Sequence, residues 1–194
     1  MKNSNLLTTL AVIVVITTLL TLIVTVNKIG MTGKATDTAT ANFTINSAAS
    51  ISFITNVVNW GSGSVDEIPT AAYLYTNGTV VDGTWNSVSQ GLTLQNDGNV
   101  NVTVSLTSSK AAADFVGGTN PEFKWLVSEN ESNSCSSGLN PTSWTAVSTG
   151  STTICSNMSY DDSKDALDID LMVKVPEDAI GTKGCVITAT GTAI

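Results

Sequence analysis

The densest group of carboxylates in the sequence lies between residues 161 and 170. Calcium prefers several oxygen ligands from one loop and the start of a strand, so Asp161, Asp162 and Asp165 are candidate calcium ligands. Asp168 and Asp170 fall on the polar side of an alternating stretch, and the spacing is not that of an EF-hand. The alternative is a solvated acidic edge, which discourages pairing between sheets. No other metal or cofactor is predicted.

Seven tryptophan and tyrosine side chains are the other residues that could form a binding surface, in this case for sugars. Aromatic rings also fill the cores of β-sandwiches, and these seven are scattered along the chain rather than patterned. The core interpretation is therefore favoured for them. They are Trp60, Trp85, Trp125, Trp144, Tyr73, Tyr75 and Tyr160.

The residue types that are missing restrict the chemistry further. The chain has 8 basic residues, all lysine, against 16 acidic ones, and it contains neither histidine nor arginine. A Ser-His-Asp triad and a histidine-bearing metal site are therefore excluded. An acidic chain without arginine repels the nucleic-acid backbone. We expect no catalysis and no nucleic-acid partner.

A long apolar run begins the chain. Residues 6–26 carry no charge, glycine or proline, and as a helix they would match the thickness of a bilayer core, about 30 Å. The run is longer than the apolar part of a typical cleaved signal, which favours an uncleaved membrane anchor. A cleaved signal and prepilin-like processing remain as alternatives. All three predict export to the cell surface and contact with the membrane.

Three threonines lie on one side of this predicted helix. Thr17, Thr21 and Thr25 are spaced four residues apart, so they form one stripe. Small hydroxyl side chains allow helices to approach closely, in lipid or in the core of a filament. The alternative is that each hydroxyl bonds to a carbonyl of its own helix.

The rest of the chain predicts an all-β domain. Alternating apolar and polar residues at 38–45, 100–107, 167–175 and 185–194 indicate strands, and turn signals such as Asn77-Gly78 separate them. Seven to ten short strands at this spacing are typical of a single β-sandwich, Ig-like or jelly-roll-like. The predicted organisation is a hydrophobic helix in residues 1–30 and an extracellular sandwich in residues 31–194.

Three cysteines fit an exported protein. Cys135 and Cys155 enclose a loop-rich stretch, and a disulfide between them would contribute about 3 kcal/mol in the chain-entropy model. This pairing is favoured because Cys185 begins a predicted strand. Cys185 is then either a small buried side chain or a thiol for an intermolecular bond.

The acceptor pattern for N-glycosylation occurs five times. Because serine, threonine and asparagine are frequent, chance alone would produce most of these matches. Several fall on polar strand faces or in turns, which favours some occupancy. The five are Asn42, Asn77, Asn101, Asn130 and Asn157.

Two stretches and the amino terminus resemble prokaryotic surface proteins. Residues 92–100 read as an apolar strand, an Asn-Asp-Gly-Asn turn and a second apolar strand, and residues 175–181 with the strand after them read as a last hairpin. Together with a hydrophobic start followed by Thr-Ala-Thr-Ala-Asn-Phe-Thr-Ile, they resemble archaeal-type cell-surface β-sandwiches and, more loosely, TasA/camelysin-type and pilin-type filament subunits. The resemblance implies an extracellular structural role, with copies joined by a shared strand or by packed N-terminal helices.

The sequence therefore predicts a non-catalytic structural protein of the cell surface that assembles with itself into a filament or coat. The apolar side of residues 38–45, formed by Ala39, Ala41, Phe43 and Ile45, is the candidate for a strand shared between copies. Residues 185–194 are the second candidate. Both stretches could instead pair within their own sandwich. The alternative function is a membrane-tethered adhesion module that binds a glycan or the surface of a partner cell.

Overall fold

A computed structural model describes residues 11–20 and 40–194. The chain divides into two compact units, residues 1–44 and 45–194. In the first unit, residues 11–20 form helix α1. Within the described residues, no helix is both long enough and apolar enough to cross a membrane. The boundary predicted at residue 30 lies outside the described ranges.

The second unit contains two antiparallel sheets and one short helix, which confirms the predicted all-β sandwich. Its elements are β1 (Ser52–Thr55), β2 (Ala71–Tyr75), β3 (Val80–Val81), β4 (Leu92–Gln95), β5 (Val102–Ser108), α2 (Ala112–Phe115), β6 (Glu122–Glu129), β7 (Cys135–Ser137), β8 (Thr145–Ala146), β9 (Thr152–Met158), β10 (Ala166–Pro176) and β11 (Ile187–Ala193).

The larger sheet is organised around β10. One side of β10 pairs with β6, which in turn pairs with β8. Its other side pairs first with β4 and then with β2, and these two strands are extended by β1 and β3. Thr76 directly follows β2, at the point along β10 where the paired strand changes from β4 to β2. Its hydroxyl accepts a hydrogen bond from the amide of Leu171 (2.9 Å). A side chain thus replaces one step of the backbone ladder.

The smaller sheet has the strand order β11-β5-β9-β7, with β11 and β7 at its edges. Strict alternation along β5 places Val102, Val104 and Leu106 in the core, where they are fully buried. β6 and β10 supply the facing layer, including Trp125 and Ile169. Burial of apolar side chains from both sheets stabilises the sandwich by roughly 1.5–3 kcal/mol for each large residue.

The two predicted hairpins are wrong. The turn at residues 96–99 joins β4 of the larger sheet to β5 of the smaller one, and residues 177–186 likewise join β10 to β11. Both connections therefore cross between the sheets. Alternation and turn residues show where a strand ends, but they do not show in which sheet the next strand lies.

Two predicted strand boundaries also differ from the structure. Residues 40–45 are not part of a strand, because no neighbouring strand among the described residues pairs with them. Ala39 lies outside the described residues. The C-terminal strand begins at Ile187, so Cys185 precedes it by two residues. In both stretches the alternating pattern is present, but an alternating pattern alone does not supply a hydrogen-bonding neighbour.

Candidate functional site

The stretch before the sandwich, residues 40–45 (the N-terminal segment), is irregular and exposed. Phe43 is 85% exposed and Ile45 is 76% exposed, an exposure that Ile68 and Ile180 share among the described residues. No backbone hydrogen bond links the segment to another residue of the described ranges. The segment therefore presents a row of alternating apolar side chains and a set of backbone groups that have no backbone partner among the described residues.

The chain just after this segment is held at one end of the sandwich. Residues 96–101 (the arch) connect β4 to β5, and Asn99 of the arch accepts a hydrogen bond from the amide of Ala48 (2.7 Å) through Oδ1. Its Nδ2 donates to the carbonyl of Asn46 (3.0 Å), and its own amide donates to the carbonyl of Ala48 (3.0 Å). Asn99 thus fixes the point at which the chain enters the sandwich.

Asp97 of the arch adds a second link to the entering chain. The hydroxyl of Ser50 beside this carboxylate lowers the pKa of Asp97, and Ser52 acts in the same direction. A lowered pKa means that the ionised form is the one that bonds to the serines. The arch and residues 46–52 therefore hold each other through several polar contacts.

A cleft of about 710 Å³ opens against the larger sheet, and its lining combines apolar side chains with polar ones such as Asn56, Asn59 and Thr182. Its floor is the inner face of the larger sheet, including Leu74, Phe123 and Val173. Helix α2 and residues 181–187 form its walls. Lys183 is the single charged residue among those that line the cleft. The volume is that of a typical small-ligand site, so the cleft has room for several side chains.

Two tryptophans form another wall of the cleft. Trp60 and Trp85 both line it, on loops joined by a hydrogen bond from the amide of Asn86 to the carbonyl of Trp60 (3.1 Å). Gly63 permits this arrangement, because a Cβ at that position would lie 2.5 Å from the ring of Trp85. The indole N–H of Trp60 is buried and has no acceptor among the described residues.

The cleft and the arch lie at opposite ends of the sandwich. The amide of Ile194, just after β11, donates to the carbonyl of Asn101 in the arch (3.1 Å). The cleft instead includes Cys185 and Ile187, at the start of the same strand. Gly191 of β11 lies against Ile51, just before β1, where a Cβ on the glycine would be 3.0 Å from the isoleucine side chain. One edge of β11 is unpaired in the described structure.

The structure does not gather the three candidate calcium ligands. The carboxylate of Asp161 accepts hydrogen bonds from Ser163, whereas that of Asp165 is buried and accepts from Gln95 (3.1 Å). Asp162 is exposed. Within the part of the chain that the structure describes, no three acidic or thiol side chains are grouped so that they could hold a metal ion.

Asp165→Asn is expected to stabilise the protein at pH 7 more than at pH 4. Burial raises the pKa of Asp165, and the nearby carboxylates of Glu131 and Asp162 act in the same direction. A raised pKa in the folded state means that stability falls as pH rises from the ordinary aspartate value of about 3.9 through the raised value. The asparagine variant lacks this loss, which urea unfolding at both pH values measures.

Asp114→Asn is the matched control, because it removes the same charge from an exposed position on α2. Its unfolding midpoint should change little, and by a similar amount at both pH values. An Asp165→Asn variant whose stabilisation is the same at pH 4 and pH 7 would contradict the prediction.

The aromatic residues are divided between core and surface. Trp125 is fully buried, and Trp60 and Trp85 pack against the core from the cleft. On the outer face of the larger sheet, the rings of Tyr75 and Trp144 meet edge to face with centroids 5.7 Å apart. Both are partly exposed, and Tyr160 is 50% exposed. The core interpretation therefore applies to some of the seven and not to the Tyr75–Trp144 pair.

The five glycosylation candidates differ in how accessible their amide nitrogens are. Nδ2 of Asn101 donates to Oδ1 of Asn157 (2.8 Å), so a glycan on Asn101 would have to be accommodated beside this bond between the arch and β9. Nδ2 of Asn130 donates to Asp168 (2.9 Å). Asn42 is exposed, and Asn77 is exposed in the turn between β2 and β3. The structure thus leaves Asn42 and Asn77 as the most accessible acceptors.

The cysteine pairing follows the prediction, because Cys135 and Cys155 form a disulfide between β7 and β9. Cys185 is a free thiol, half-buried in the lining of the cleft. In helix α1, the hydroxyl of Thr17 donates to the carbonyls of Ile13 and Val14 (3.0 Å each). Thr21 and Thr25 lie outside the described residues, so association through the threonine stripe stays a prediction.

Sequence patterns did not reveal the cleft or the role of the arch. The run Asn96-Asp97-Gly98-Asn99 was interpreted as a hairpin turn, although Asn99 binds a segment about fifty positions earlier in the chain. Two asparagines around an Asp-Gly pair predict a polar loop, but they do not predict which distant segment the loop binds. The glycines near Trp60 and Trp85 are the one sequence feature that accompanies the cleft wall.

The chain matches no known protein family, and no curated protein or solved structure is detectably similar to it. The resemblance to surface and filament proteins therefore rests on the residues of this chain alone. Its function has to be inferred from the exposed segment, the arch, the cleft and the free edge of β11.

Proposed function

We propose that this protein is a structural subunit of an extracellular filament or coat, in which the N-terminal segment of one copy adds as a strand to a neighbouring copy. The observation that carries the proposal is the exposure of Phe43 and Ile45 in a segment without backbone partners among the described residues. Addition of the segment as a strand would give its backbone groups hydrogen-bonding partners and would bury its alternate, apolar side chains.

The charge pattern supports association between copies. The chain has a net charge of −8, so two copies repel each other wherever acidic surfaces meet. Residues 38–65, which include the N-terminal segment, carry no charge. This uncharged stretch is suited to approach an acidic neighbour without a penalty from like charges.

The positions of the arch and the cleft support an open assembly rather than a closed pair. The arch fixes the entering chain at one end of the sandwich, through Asn99. The cleft and the start of β11 lie at the other end. A contact between two different surfaces repeats from copy to copy, and it produces a filament when the rotation between copies does not close a ring.

The arrangement of the acidic residues supports a non-catalytic role. Asp168 accepts hydrogen bonds from Thr93 (2.8 Å) and Asn130 (2.9 Å), and Asp170 accepts one from Thr76 (2.8 Å). Both carboxylates thus accept hydrogen bonds from neutral side chains of the protein. Their role in this proposal is to join strands on the outer face of the larger sheet.

A membrane-tethered adhesion module is the second candidate, favoured by the partly exposed Tyr75–Trp144 pair. Aromatic rings on a flat sheet face, with Lys124 and Lys174 close to Glu122, combine stacking and polar contacts in the way that sugars require. Such a module acts as a single copy. Polymerisation that depends on protein concentration would therefore contradict it.

Phe43→Asp is expected to abolish assembly of the full-length protein while leaving the sandwich folded. Burying a phenylalanine side chain is worth roughly 1.5–3 kcal/mol, which corresponds to a tenfold to hundredfold change in affinity, and a buried carboxylate would add a further cost. Filament mass in a sedimentation assay, with electron microscopy of the pellet, measures assembly. The urea unfolding midpoint measures the fold.

Thr44→Asp is the matched control, because it introduces the same charge on the polar side of the same segment. In protein produced without glycosylation it should still assemble, with only the small loss that one additional exposed negative charge causes between acidic copies. Unchanged assembly of Phe43→Asp would refute the proposal. A large loss of monomer stability in Phe43→Asp would instead show that the segment belongs to its own sandwich.

A further inference from the structure

We propose that the acceptor for the N-terminal segment is the cleft together with the free edge of β11, and that Phe43 of a second copy of this chain occupies the cleft. This inference rests on the proposed function and names the surface it requires. The partner is another copy of the chain rather than a small apolar molecule, because the required side chains are exposed on the chain itself.

Among the sheet edges of the described structure, β11 is the one best suited to receive a strand. β3, β7 and β8 are two or three residues long, and the pairing register of β1 is irregular between Phe53 and Thr55. β11 has seven residues with neither a charge nor a proline. Proteins usually protect an exposed edge with charged residues or proline, and an unprotected edge is a template for another strand.

The inner side of β11 is incompletely covered. Ile187 and Ala189 pack against the core but remain partly exposed, whereas the alternate residues of the neighbouring β5 are fully buried. Val186, which lines the cleft at the start of this strand, is 64% exposed. A strand added beside β11 would bury this apolar surface and would continue the smaller sheet.

The lining of the cleft matches the chemistry of the N-terminal segment. Lys183 is its single charged residue, and the segment has no charge, so docking leaves no carboxylate buried without a partner. Trp60 has a buried indole N–H without an acceptor among the described residues, and an incoming backbone would bring carbonyl groups.

The spacing of side chains in the segment also fits. Ala41, Phe43 and Ile45 share one side when the segment is extended, because side chains alternate along a strand. One large ring followed by a branched residue can fill the cleft while the backbone pairs with β11. Residues 46–48, which follow the segment, are hydrogen-bonded to the arch at the opposite end of their own sandwich. The segment of one copy therefore links that end to the cleft of the next copy.

Val58→Glu tests the acceptor, with Val57→Glu as its matched control. Val58 lines the cleft, whereas its neighbour Val57 does not and is 70% exposed. Placing a carboxylate in the cleft should abolish filament formation by the full-length chain, and the same change at Val57 should leave it intact. Urea unfolding midpoints establish that both variants are folded. Should Val58→Glu unfold the protein, Cys185 supplies the measurement on the unmodified chain.

Cys185 reports on the cleft directly, because it is the free thiol in the lining. Its alkylation by a maleimide should become several-fold slower when the unmodified protein is assembled than in the unassembled Phe43→Asp variant. Equal alkylation rates in filaments and monomers, or normal assembly of Val58→Glu, would overturn the inference. The proposed function would survive that result if Phe43→Asp still abolished assembly, and it would fail if Phe43→Asp assembled.

Discussion

Replacing both Cys135 and Cys155 by alanine is expected to lower the free energy of unfolding by about 3 kcal/mol. The disulfide closes a loop with a sequence separation of 20 residues and so restricts the unfolded chain. It also lies at the edge of the core, where Cys155 is fully buried, so its removal leaves unfilled space. For a domain of this size the melting temperature should fall by roughly 6–12 °C.

Cys185→Ala is the control for this prediction, because it removes a cysteine that forms no disulfide. Its unfolding midpoint should stay close to that of the unmodified protein. A reducing agent should destabilise the unmodified chain as much as the double substitution does and should leave the double variant unchanged. If the double variant unfolds at the same urea concentration as the oxidised protein, the disulfide contributes nothing to stability.

Thr76→Val is expected to cost about 2–4 kcal/mol, since it leaves the amide of Leu171 without its acceptor, at roughly 1–3 kcal/mol, and the carboxylate of Asp170 without its donor, at about 1 kcal/mol because this side chain is only partly buried. Thr76 is fully buried, and its hydroxyl donates to Oδ1 of Asp170 (2.8 Å) while accepting from the amide of Leu171 (2.9 Å). Valine has nearly the same shape but can make neither bond. The larger sheet would then lose its link at the junction between β4 and β2.

Thr76→Ser separates the hydroxyl from the methyl group, because serine keeps both hydrogen bonds. Its cost should be nearer 1 kcal/mol, the value of a lost buried methyl group. Urea unfolding at pH 7 measures both variants against the unmodified chain. A valine variant that unfolds at the same urea concentration as the unmodified chain would show that the hydroxyl bonds contribute no stability.

The strands that carry strict alternation were the most predictable part of the fold. Residues 167–175 were predicted as a strand with Asp168, Asp170 and Lys174 on its outer side, and β10 spans Ala166–Pro176 with Leu167, Ile169 and Val173 buried. Residues 100–107 correspond closely to β5, Val102–Ser108. Alternation is a local property of the chain, and burial of one face preserves it in the folded protein.

Connections and partners were much less predictable. The Asn-Asp-Gly-Asn run had the chemistry of a hairpin turn, but β4 pairs with β1 and β10 while β5 pairs with β9 and β11. Strand pairing depends on residues far apart in the chain, whose approach is decided by how the two apolar faces pack. For the same reason, the alternating pattern of residues 38–45 does not identify the strand with which they pair.

The all-β class, the acidic, histidine-free composition and the preference for pairing Cys135 with Cys155 follow from residue types and their spacing along the chain. Composition, alternation and spacing suffice for these properties, because each depends on the identity of residues and on short separations along the chain. The tertiary structure alone revealed the cleft beside Cys185, the hydrogen bonds between Asn99 of the arch and residues 46–48, and the free edge of β11. These features arise where two sheets meet or separate, so they depend on contacts between distant residues that no local pattern encodes.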